Sequence, residues 1–243
     1  MASLSADLNG KAAAVTGGGN GIGKACAIAF MQNGAEIALI DYSEAALEQA
    51  KKEIEGLGGK CRTYVCDVTK VSQIYETFKQ IETDFGHVDI LLNSAGVNVQ
   101  QRGEDVTEEA WDKVLNTNAK GSFFCCQAAG KVMIKQNSGS IINLGSAMSV
   151  VGYERRSSYC ASKGAVAQFT KVLAGEWAKY NITVNTVAPT FIYTPFTAPM
   201  FENEAFHEDV KRRILFGRVG EVDDVVGAVL YLASDAAKFV TGS

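Results

Sequence analysis

A tyrosine and a lysine stand four positions apart in the segment SSYCASKGA, residues 157–165. On a helix, residues spaced by four lie on the same face, so Tyr159 and Lys163 would be neighbours. A phenol has a reference pKa of about 10, and a nearby ammonium favours its ionised form. The pair therefore suits proton transfer to or from a substrate oxygen, provided that other elements complete a site around it.

A glycine-rich turn, TGGGNGIG, follows an apolar run at residues 16–23. Gly17, Gly21 and Gly23 fit the spacing T-G-x-x-x-G-x-G, and Asn20 and Ile22 lie between them as further predicted contacts. Small residues let a diphosphate approach the backbone, and the following helix N-terminus offers free N–H groups. Because the turn lies between a strand and a helix, it predicts a dinucleotide-binding site.

Asp41 follows the second apolar run, eighteen positions after Gly23. An acidic residue at about this spacing holds the ribose hydroxyls of the adenosine. Its charge would repel a 2′-phosphate, and no Arg or Lys lies beside it or in the glycine turn before Lys24. The sequence therefore predicts NAD in preference to NADP. Asp41 would also fit the N-cap of a helix over 43–56, for which Ser43 is another candidate.

Two later strand ends also suit a dinucleotide. CDV ends the third apolar run, where Asp67 and Val68 would lie near the adenine. NSAG ends the fourth, where Asn93, Ala95 and Gly96 form a small-residue turn that lets the cofactor pass close to the backbone. Each is compatible with an ordinary turn, but their occurrence at successive strand ends favours a site.

Short apolar runs alternate with helical patterns, which predicts parallel strands joined by right-handed crossovers. The fold class is therefore α/β, a doubly wound parallel sheet with helices on both faces. The predicted strands are 11–16, 36–40, 61–66, 88–93, 138–145 and 181–188. The predicted helices include 22–33, 43–56, 70–85, 107–136 and 158–180. Residues 189–217 are interpreted as a long irregular loop that serves as a substrate-binding lid.

The composition excludes several classes of function. The chain has 243 residues, 47% of them hydrophobic, and a net charge of −4, without the clustered basic face that nucleic acids need. Two histidines and six unpaired cysteines give no zinc-ligand spacing, so no metal is expected and the thiols are taken as reduced. No signal peptide and no apolar run of about 20 residues is found, so a cytoplasmic protein without membrane contact is expected.

The ordered set of motifs resembles the short-chain dehydrogenase/reductase family along essentially the whole chain. The motifs are TGGGNGIG, CDV, NSAG, NTNAKGSFF, NLGSAMS, YCASK and NTVAP. The glycine motif is widespread, whereas the ordered set is specific. The resemblance implies one Rossmann-type domain over residues 1–243, a nicotinamide cofactor, and a homotetramer or homodimer.

The resemblance also implies a catalytic tetrad of Asn118, Ser146, Tyr159 and Lys163. Tyr159 would move the proton, with its pKa lowered by Lys163 and by the oxidised nicotinamide. Lys163 would also bind the nicotinamide ribose, Ser146 would orient the substrate oxygen, and Asn118 would hold a water beside Lys163. An amide is a poor helix former, so a local kink is expected at Asn118. Ser157 or Ser158 is expected to cap the helix that carries the pair.

The chain departs from the family pattern in two places. Pro189 is followed by Thr190, where the family commonly has Pro-Gly, although Ile192 and Thr194 remain to contact the nicotinamide carboxamide. The sequence ends at FVTGS, whereas relatives usually continue through another strand, so a C-terminal strand is expected to be missing.

The substrate is expected between the tetrad and the 189–217 segment. Its predicted contacts are Ser146, Tyr159, Asn98, Met148, Tyr153 and Phe191. Arg155 and Arg156 would suit a polyol, sugar or sugar acid if they line the pocket, but both are expected to face solvent. The stretch VAPTFIYTP resembles members that act on polyols, sugars or sugar acids, which predicts an NAD-dependent dehydrogenase of a secondary alcohol. A 3-oxoacyl-thioester reductase and a non-catalytic dinucleotide sensor are the alternatives.

Overall fold

Six parallel strands form one sheet in the computed structural model, which describes residues 6–243. The strands are β1 (Ala12–Thr16), β2 (Glu36–Asp41), β3 (Cys61–Val65), β4 (Ile90–Asn93), β5 (Gly139–Leu144) and β6 (Ile182–Val187). Their order across the sheet is β3-β2-β1-β4-β5-β6. This is the doubly wound Rossmann order, whose switch point lies between β1 and β4. The predicted fold class is confirmed.

Helices cover both faces of this sheet. They are α1 (Gly21–Gln32), α2 (Glu44–Gly56), α3 (Val71–Phe85), α4 (Glu108–Leu115), α5 (Ser122–Gln136), α6 (Ser157–Trp177), α7 (Ala198–Phe201), α8 (Glu204–Arg213) and α9 (Asp223–Ala233). Buried side chains of α1, α2 and α9 form one core with the sheet, and those of α3, α5 and α6 form a second core on the opposite face.

The central strand β4 shows why these segments read as continuous apolar runs. Successive side chains of a strand point to opposite faces. Leu91 therefore lies in the core beneath α3, α5 and α6, and Leu92 in the core beneath α1, α2 and α9. Both side chains are fully buried, as a sheet covered on two sides requires.

Of three local predictions, the structure confirms two and contradicts one. Ser43 is the N-cap of α2, and its hydroxyl accepts from the N–H of Ala46 at 3.3 Å, which confirms that prediction. The expected kink at Asn118 is present as a π-helical turn over Asn116–Gly121, between α4 and α5. The prediction that Ser157 or Ser158 caps α6 is wrong, because α6 begins at Ser157 and its N-cap, Arg156, makes no side-chain cap bond.

The interpretation of residues 189–217 as irregular is also wrong in part. The segment contains the short helix α7 and the ten-residue helix α8, whose N-cap Asn203 accepts from the N–H of Phe206. Phe201 and Val210 from these helices pack with Val219 into a small core of their own. Local hydrophobic packing therefore orders a segment whose prolines and aromatics gave no periodic signal.

Several whole-chain features bear on the kind of protein. Within residues 6–243, no helix has the length and apolar character needed to cross a membrane. The same residues contain no group of three or more His, Cys, Asp or Glu side chains placed to hold a metal ion. All six cysteines are free, and five of them are buried. Residues 1–5, the start of the segment judged to lack a secretion signal, lie outside the described residues.

Candidate active site

A cavity of about 1320 Å³ opens at the carboxyl ends of the parallel strands. Ligands of doubly wound sheets bind at this edge, near the switch point. The predicted cofactor residues that line it are Gly17, Asn20, Gly21, Ile22, Asp41, Asp67, Val68, Ala95, Gly96, Tyr159, Lys163, Ile192 and Thr194. All six predicted substrate contacts line it too: Asn98, Ser146, Met148, Tyr153, Tyr159 and Phe191. Three other predicted site residues do not line the cavity: Gly23, Asn93 and Asn118.

The glycine turn is packed too tightly for larger residues. Gly17 has φ +63°, and a Cβ there would lie 2.8 Å from the amide nitrogen of Ala95. A Cβ on Gly23 would lie 2.3 Å from the carbonyl oxygen of Gly17. Gly23 thus supports the turn from behind, which explains why it does not line the cavity.

The N-terminus of α1 is free to receive an anion. Its N-cap, Asn20, makes no side-chain cap bond, and its first turn contains no acidic residue. The N–H groups of this turn and the helix dipole therefore face the cavity without a competing acceptor from a capping side chain. This arrangement fits the diphosphate of a dinucleotide.

The Asp41 carboxylate is fixed at the end of β2. It accepts from the backbone N–H of Gly19 at 3.2 Å and of Ser43 at 3.1 Å. Ser43, not Asp41, caps α2, so Asp41 is not required for that role. Lys24, the cation nearest in sequence to the glycine turn, is bound to Glu53 at 2.6 Å. The carboxylate lines the cavity without a salt bridge to any described residue, which suits hydroxyl donors.

Of the polar residues that follow β3 and end β4, Asp67 lines the cavity and Asn93 does not. The Asp67 carboxylate lines the cavity but already accepts from the N–H and hydroxyl of Thr69 at 2.9 and 2.7 Å. Asn93 is buried, and its amide donates to Asn143 Oδ1 at 2.9 Å and to the carbonyl oxygen of Ser122 at 3.3 Å. Asn93 therefore ties β4 to β5 and α5, and it does not line the cavity.

Tyr159 and Lys163 lie on one face of α6, as their spacing predicts. The Lys163 ammonium is 5.7 Å from the centre of the Tyr159 ring and donates to the carbonyl oxygen of Leu144 at 2.6 Å. Lys163 is buried and forms no salt bridge with any residue in the range 6–243, and its burial lowers its pKa to about 8.

Burial raises the pKa of Tyr159, while a hydrogen bond from Ser146 and the charge of Arg156 oppose the rise. In the protein without its cofactor the pKa of Tyr159 therefore lies above its ordinary value, because desolvation of the phenolate outweighs these effects. The lowering expected from Lys163 together with the oxidised nicotinamide stays a prediction.

Ser146 is held by the turn that follows β5. Its hydroxyl accepts from the N–H of Met148 at 3.1 Å, and its own N–H donates to Ser149 Oγ at 3.3 Å. This reciprocal pair is a capping box on the short helix Ala147–Ser149. The hydroxyl is thereby directed into the cavity beside Tyr159.

Asn118 occupies the π-helical turn and is fully buried. Its Oδ1 accepts from the N–H of Val97 at 2.8 Å, and its Nδ2 donates to the Val97 carbonyl oxygen at 2.9 Å and to Ser162 Oγ at 3.0 Å. Asn118 therefore joins the loop after β4 to the residue preceding Lys163. Its predicted role in holding a water stays a prediction.

The expectation for the two arginines is half wrong. Arg155 is exposed, as expected, but Arg156 is only 4% exposed and lines the cavity. Its guanidinium carbon lies 4.6 Å from the ring centre of Tyr153 and 5.7 Å from those of Phe191 and Phe206. Tyr153 is a close neighbour in sequence, whereas Phe191 and Phe206 come from the 189–217 segment, so the sequence around Arg156 does not by itself indicate the burial.

Comparison with known proteins places this geometry in a family. A family model described as enoyl-(acyl carrier protein) reductase matches residues 17–243. A 3-oxoacyl-[acyl-carrier-protein] reductase of Thermotoga maritima is 41% identical over 97% of this chain and 95% of its own length. The chain belongs to the short-chain dehydrogenase/reductase family. It is therefore an oxidoreductase that acts on CH–OH groups with a nicotinamide dinucleotide.

Other members of the short-chain dehydrogenase/reductase family are similarly close. The NAD-dependent glycerol dehydrogenase of Listeria innocua is 39% identical over 97% of this chain and 91% of its own length. The 2-dehydro-3-deoxy-D-gluconate 5-dehydrogenase of Bacillus subtilis is 38% identical over 97% and 92%. The structure of an NAD⁺-bound xylitol dehydrogenase superposes with a TM-score of 0.93 at 32% identity, covering 97% of this chain and 96% of that one.

Proposed function

We propose that this short-chain dehydrogenase/reductase interconverts a secondary alcohol of a polyol, sugar or sugar acid with its ketone, with NAD(H) as the preferred cofactor. The observation that carries the proposal is the shared cavity. Ser146, Tyr159 and Lys163 line the same space as Asp41 and the N-terminus of α1. An acid/base group, an orienting hydroxyl and dinucleotide-binding groups are thereby brought together at one sheet edge.

Ser146, Tyr159 and Lys163 would each have a separate role in the transfer of a hydride and a proton. The nicotinamide, when bound, accepts the hydride from the alcohol carbon or returns it to the ketone. The Ser146 hydroxyl orients the substrate oxygen. Tyr159 takes the hydroxyl proton as the ketone forms and gives it back in the reverse direction. Lys163 holds positive charge beside Tyr159. Its ammonium would also bind the nicotinamide ribose.

Asp41 supports the preference for NAD. Its carboxylate accepts ribose hydroxyls but repels a 2′-phosphate, and Lys24 is engaged by Glu53. Asn20, Gly21 and Ile22 would hold the diphosphate, and the other predicted cofactor residues would hold the adenine and nicotinamide ends. The names of the glycerol and deoxygluconate dehydrogenases support the polyol and sugar-acid classes.

A 3-oxoacyl-thioester reductase is the second candidate, because the Thermotoga relative carries that name and shares 41% identity. Asp41 favours the first candidate, since biosynthetic reductases of this family usually use NADP. We further propose that the segment 189–217 closes over the substrate and that the enzyme is a cytoplasmic homotetramer or homodimer. The free cysteines support a reducing compartment such as the cytoplasm. The exposed apolar side chains Trp111 and Val172 support a subunit interface.

The first test is turnover by wild type and Tyr159→Phe. Purified protein is mixed with NAD or NADP and a panel of polyols, sugar acids and 3-oxoacyl thioesters, and reduced cofactor is followed by absorbance. We expect NAD-linked turnover of a polyol or sugar acid. Tyr159→Phe should lose at least about 100-fold in kcat while binding NAD normally, because it lacks the proton-transferring hydroxyl. Cofactor binding without turnover would instead support the sensor hypothesis.

The second test concerns the cofactor. Asp41→Ser removes the charge that repels a 2′-phosphate, so the kcat/KM ratio of NADP to NAD should rise by about tenfold or more. Glu44→Gln is the matched control, because it removes a neighbouring charge at the start of α2. An NADP preference in the wild type would contradict the assignment of Asp41.

A further inference from the structure

Arg156 is a buried cation with few partners. One guanidinium nitrogen donates to the carbonyl oxygen of Glu154 at 3.3 Å, and the other contacts Met200 Sδ at 3.8 Å. A guanidinium has five N–H donors, and sulfur is a weak acceptor. Within residues 6–243, no carboxylate lies within the 4.0 Å salt-bridge distance of Arg156. A buried charge without a partner is costly unless a ligand supplies one.

Aromatic rings hold this guanidinium without consuming its donors. Tyr153, Phe191 and Phe206 surround it, with ring centres 4.6 to 5.7 Å from its central carbon. Contacts of this kind use the charge and the planar face, so the in-plane N–H groups stay available for a second interaction. The guanidinium fork matches a carboxylate in two parallel hydrogen bonds.

The acidic residues of the cavity lie away from this position. The carboxylates that line it are Asp41 and Asp67, at the ends of β2 and β3, where the cofactor is proposed to bind. Arg213 lines the substrate half beside Tyr153, but its charge is already paired with Asp209 at 2.7 Å. The cavity is therefore positively charged away from Asp41 and Asp67, and within residues 6–243 Arg156 is one of its cations without a salt bridge, together with Lys113 and Lys163.

A second orphaned group lies in the same cavity. Asn98 Oδ1 is buried and has no hydrogen-bond partner among the described residues. An amide oxygen accepts O–H donors, and a buried acceptor left unpaired destabilises the folded state. A ligand hydroxyl would supply the missing donor. A ligand with both a hydroxyl and an anionic group would satisfy Asn98 and Arg156 together.

We propose that Arg156 binds the carboxylate of the substrate, so that this enzyme acts on a polyhydroxy acid in preference to a neutral polyol. The inference rests on the proposed function, since it names the substrate class of the same site. Arg156 is the N-cap of the helix that carries Tyr159, three positions before it, and both side chains line the same cavity. A carboxylate bound to Arg156 and a hydroxyl that reacts at Tyr159 can therefore belong to one small substrate.

The experiment compares a six-carbon aldonate, its neutral amide and an alditol phosphate as substrates with NAD. We expect the wild type to favour the aldonate over the amide by about 30-fold or more in kcat/KM, the factor that a buried charge pair implies. Arg156→Gln should lose this preference mainly through a higher KM for the aldonate. Arg156→Lys should keep part of it, and the exposed control Arg155→Gln should keep all of it.

Equal kcat/KM values for aldonate and amide in the wild type would overturn the proposal, and so would a similar loss for both substrates in a folded Arg156→Gln. A preference for the alditol phosphate would also overturn it, in favour of a phosphate site. Turnover of neutral polyols alone would leave the proposed function standing and this inference wrong.

If nothing turns over, the proposed function fails, and ligand-induced thermal shift decides the site by itself. A rise in melting temperature with aldonate but not amide, absent in Arg156→Gln, would support it. No shift in the wild type would overturn it.

Discussion

Lys163 shows how one buried side chain balances opposing demands. It is only 6% exposed, and within residues 6–243 its ammonium has one hydrogen-bond partner, the carbonyl oxygen of Leu144. Burial disfavours the charged form, which is why its pKa falls to about 8 from the ordinary 10.5. The residue thus remains largely protonated at neutral pH at some cost to stability. A binding site for ribose hydroxyls beside Tyr159 is a reason to retain such a group.

Lys163 should make the stability of the unliganded protein depend on alkaline pH. Between pH 8 and 10.5 the unfolded chain holds the Lys163 proton and the folded chain releases it. The unfolded state then binds more protons, so the free energy of unfolding rises with pH, by about 3 kcal/mol at most. Lys163→Met should lack this increment. Denaturant unfolding of both proteins at pH 7.5 and about 10 measures their free energies of unfolding. Subtracting the variant's value from that of the wild type at each pH removes the contributions of the cysteines and tyrosines, which both proteins share.

A difference between the two proteins that does not change with pH would contradict the lowered pKa of Lys163. The opposite sign, a loss of relative stability as the pH rises, would mean that the ammonium is stabilised by its surroundings.

At the scale of elements, the glycine turn and α1 form one unit. Gly23, in the first turn of α1, packs against the backbone of Gly17, and Gly17 packs against the loop after β4. Three segments thereby meet at backbone distance around the proposed diphosphate site. The contact leaves no room for a side chain, so the glycines are required for packing as well as for turn geometry.

Gly23→Ala should disturb this unit, because the new Cβ would lie 2.3 Å from the Gly17 carbonyl oxygen. We expect a loss of about 1–3 kcal/mol in stability from overpacking and at least about tenfold weaker NAD binding. Gly227→Ala in α9 is the control, since nothing lies within 4 Å of its Cβ. That exposed helical position should gain about 0.5–1 kcal/mol. Thermal unfolding and NAD titration report both effects; unchanged NAD binding in Gly23→Ala would refute the packing argument.

At the scale of the whole molecule, the sheet separates two hydrophobic cores, and we expect both to contribute similarly to stability. One lies beneath α1, α2 and α9, the other beneath α3, α5 and α6. Every central strand contributes side chains to both. The edge strand β3 is different, since Val65 at its end is 58% exposed.

Leu91→Ala and Leu92→Ala should therefore be similarly harmful, although the two side chains point in opposite directions. Each removes a fully buried side chain, which costs about 2–5 kcal/mol including the cavity left behind. Val65→Ala, at an exposed position, should change stability by less than about 1 kcal/mol. Urea unfolding of the three variants checks this. One mild and one severe leucine variant would show that a face of the sheet is loosely packed.

The sequence by itself determined the doubly wound α/β fold class, the Tyr159–Lys163 pair and the glycine turn. These follow from local periodicity and from ordered motifs, both of which are readable along the chain. A kink at Asn118 also follows from the sequence, because an amide is a poor helix former, whereas its π-helical form comes from the structure.

Only the tertiary structure decided where Arg156 points, because two of the three rings around it, those of Phe191 and Phe206, come from a distant segment. It likewise decided the helices within 189–217, the burial of Asn93 and the raised pKa of Tyr159. Burial is a property of the assembled molecule: desolvation depends on what packs around a group, and no neighbour in sequence reports it.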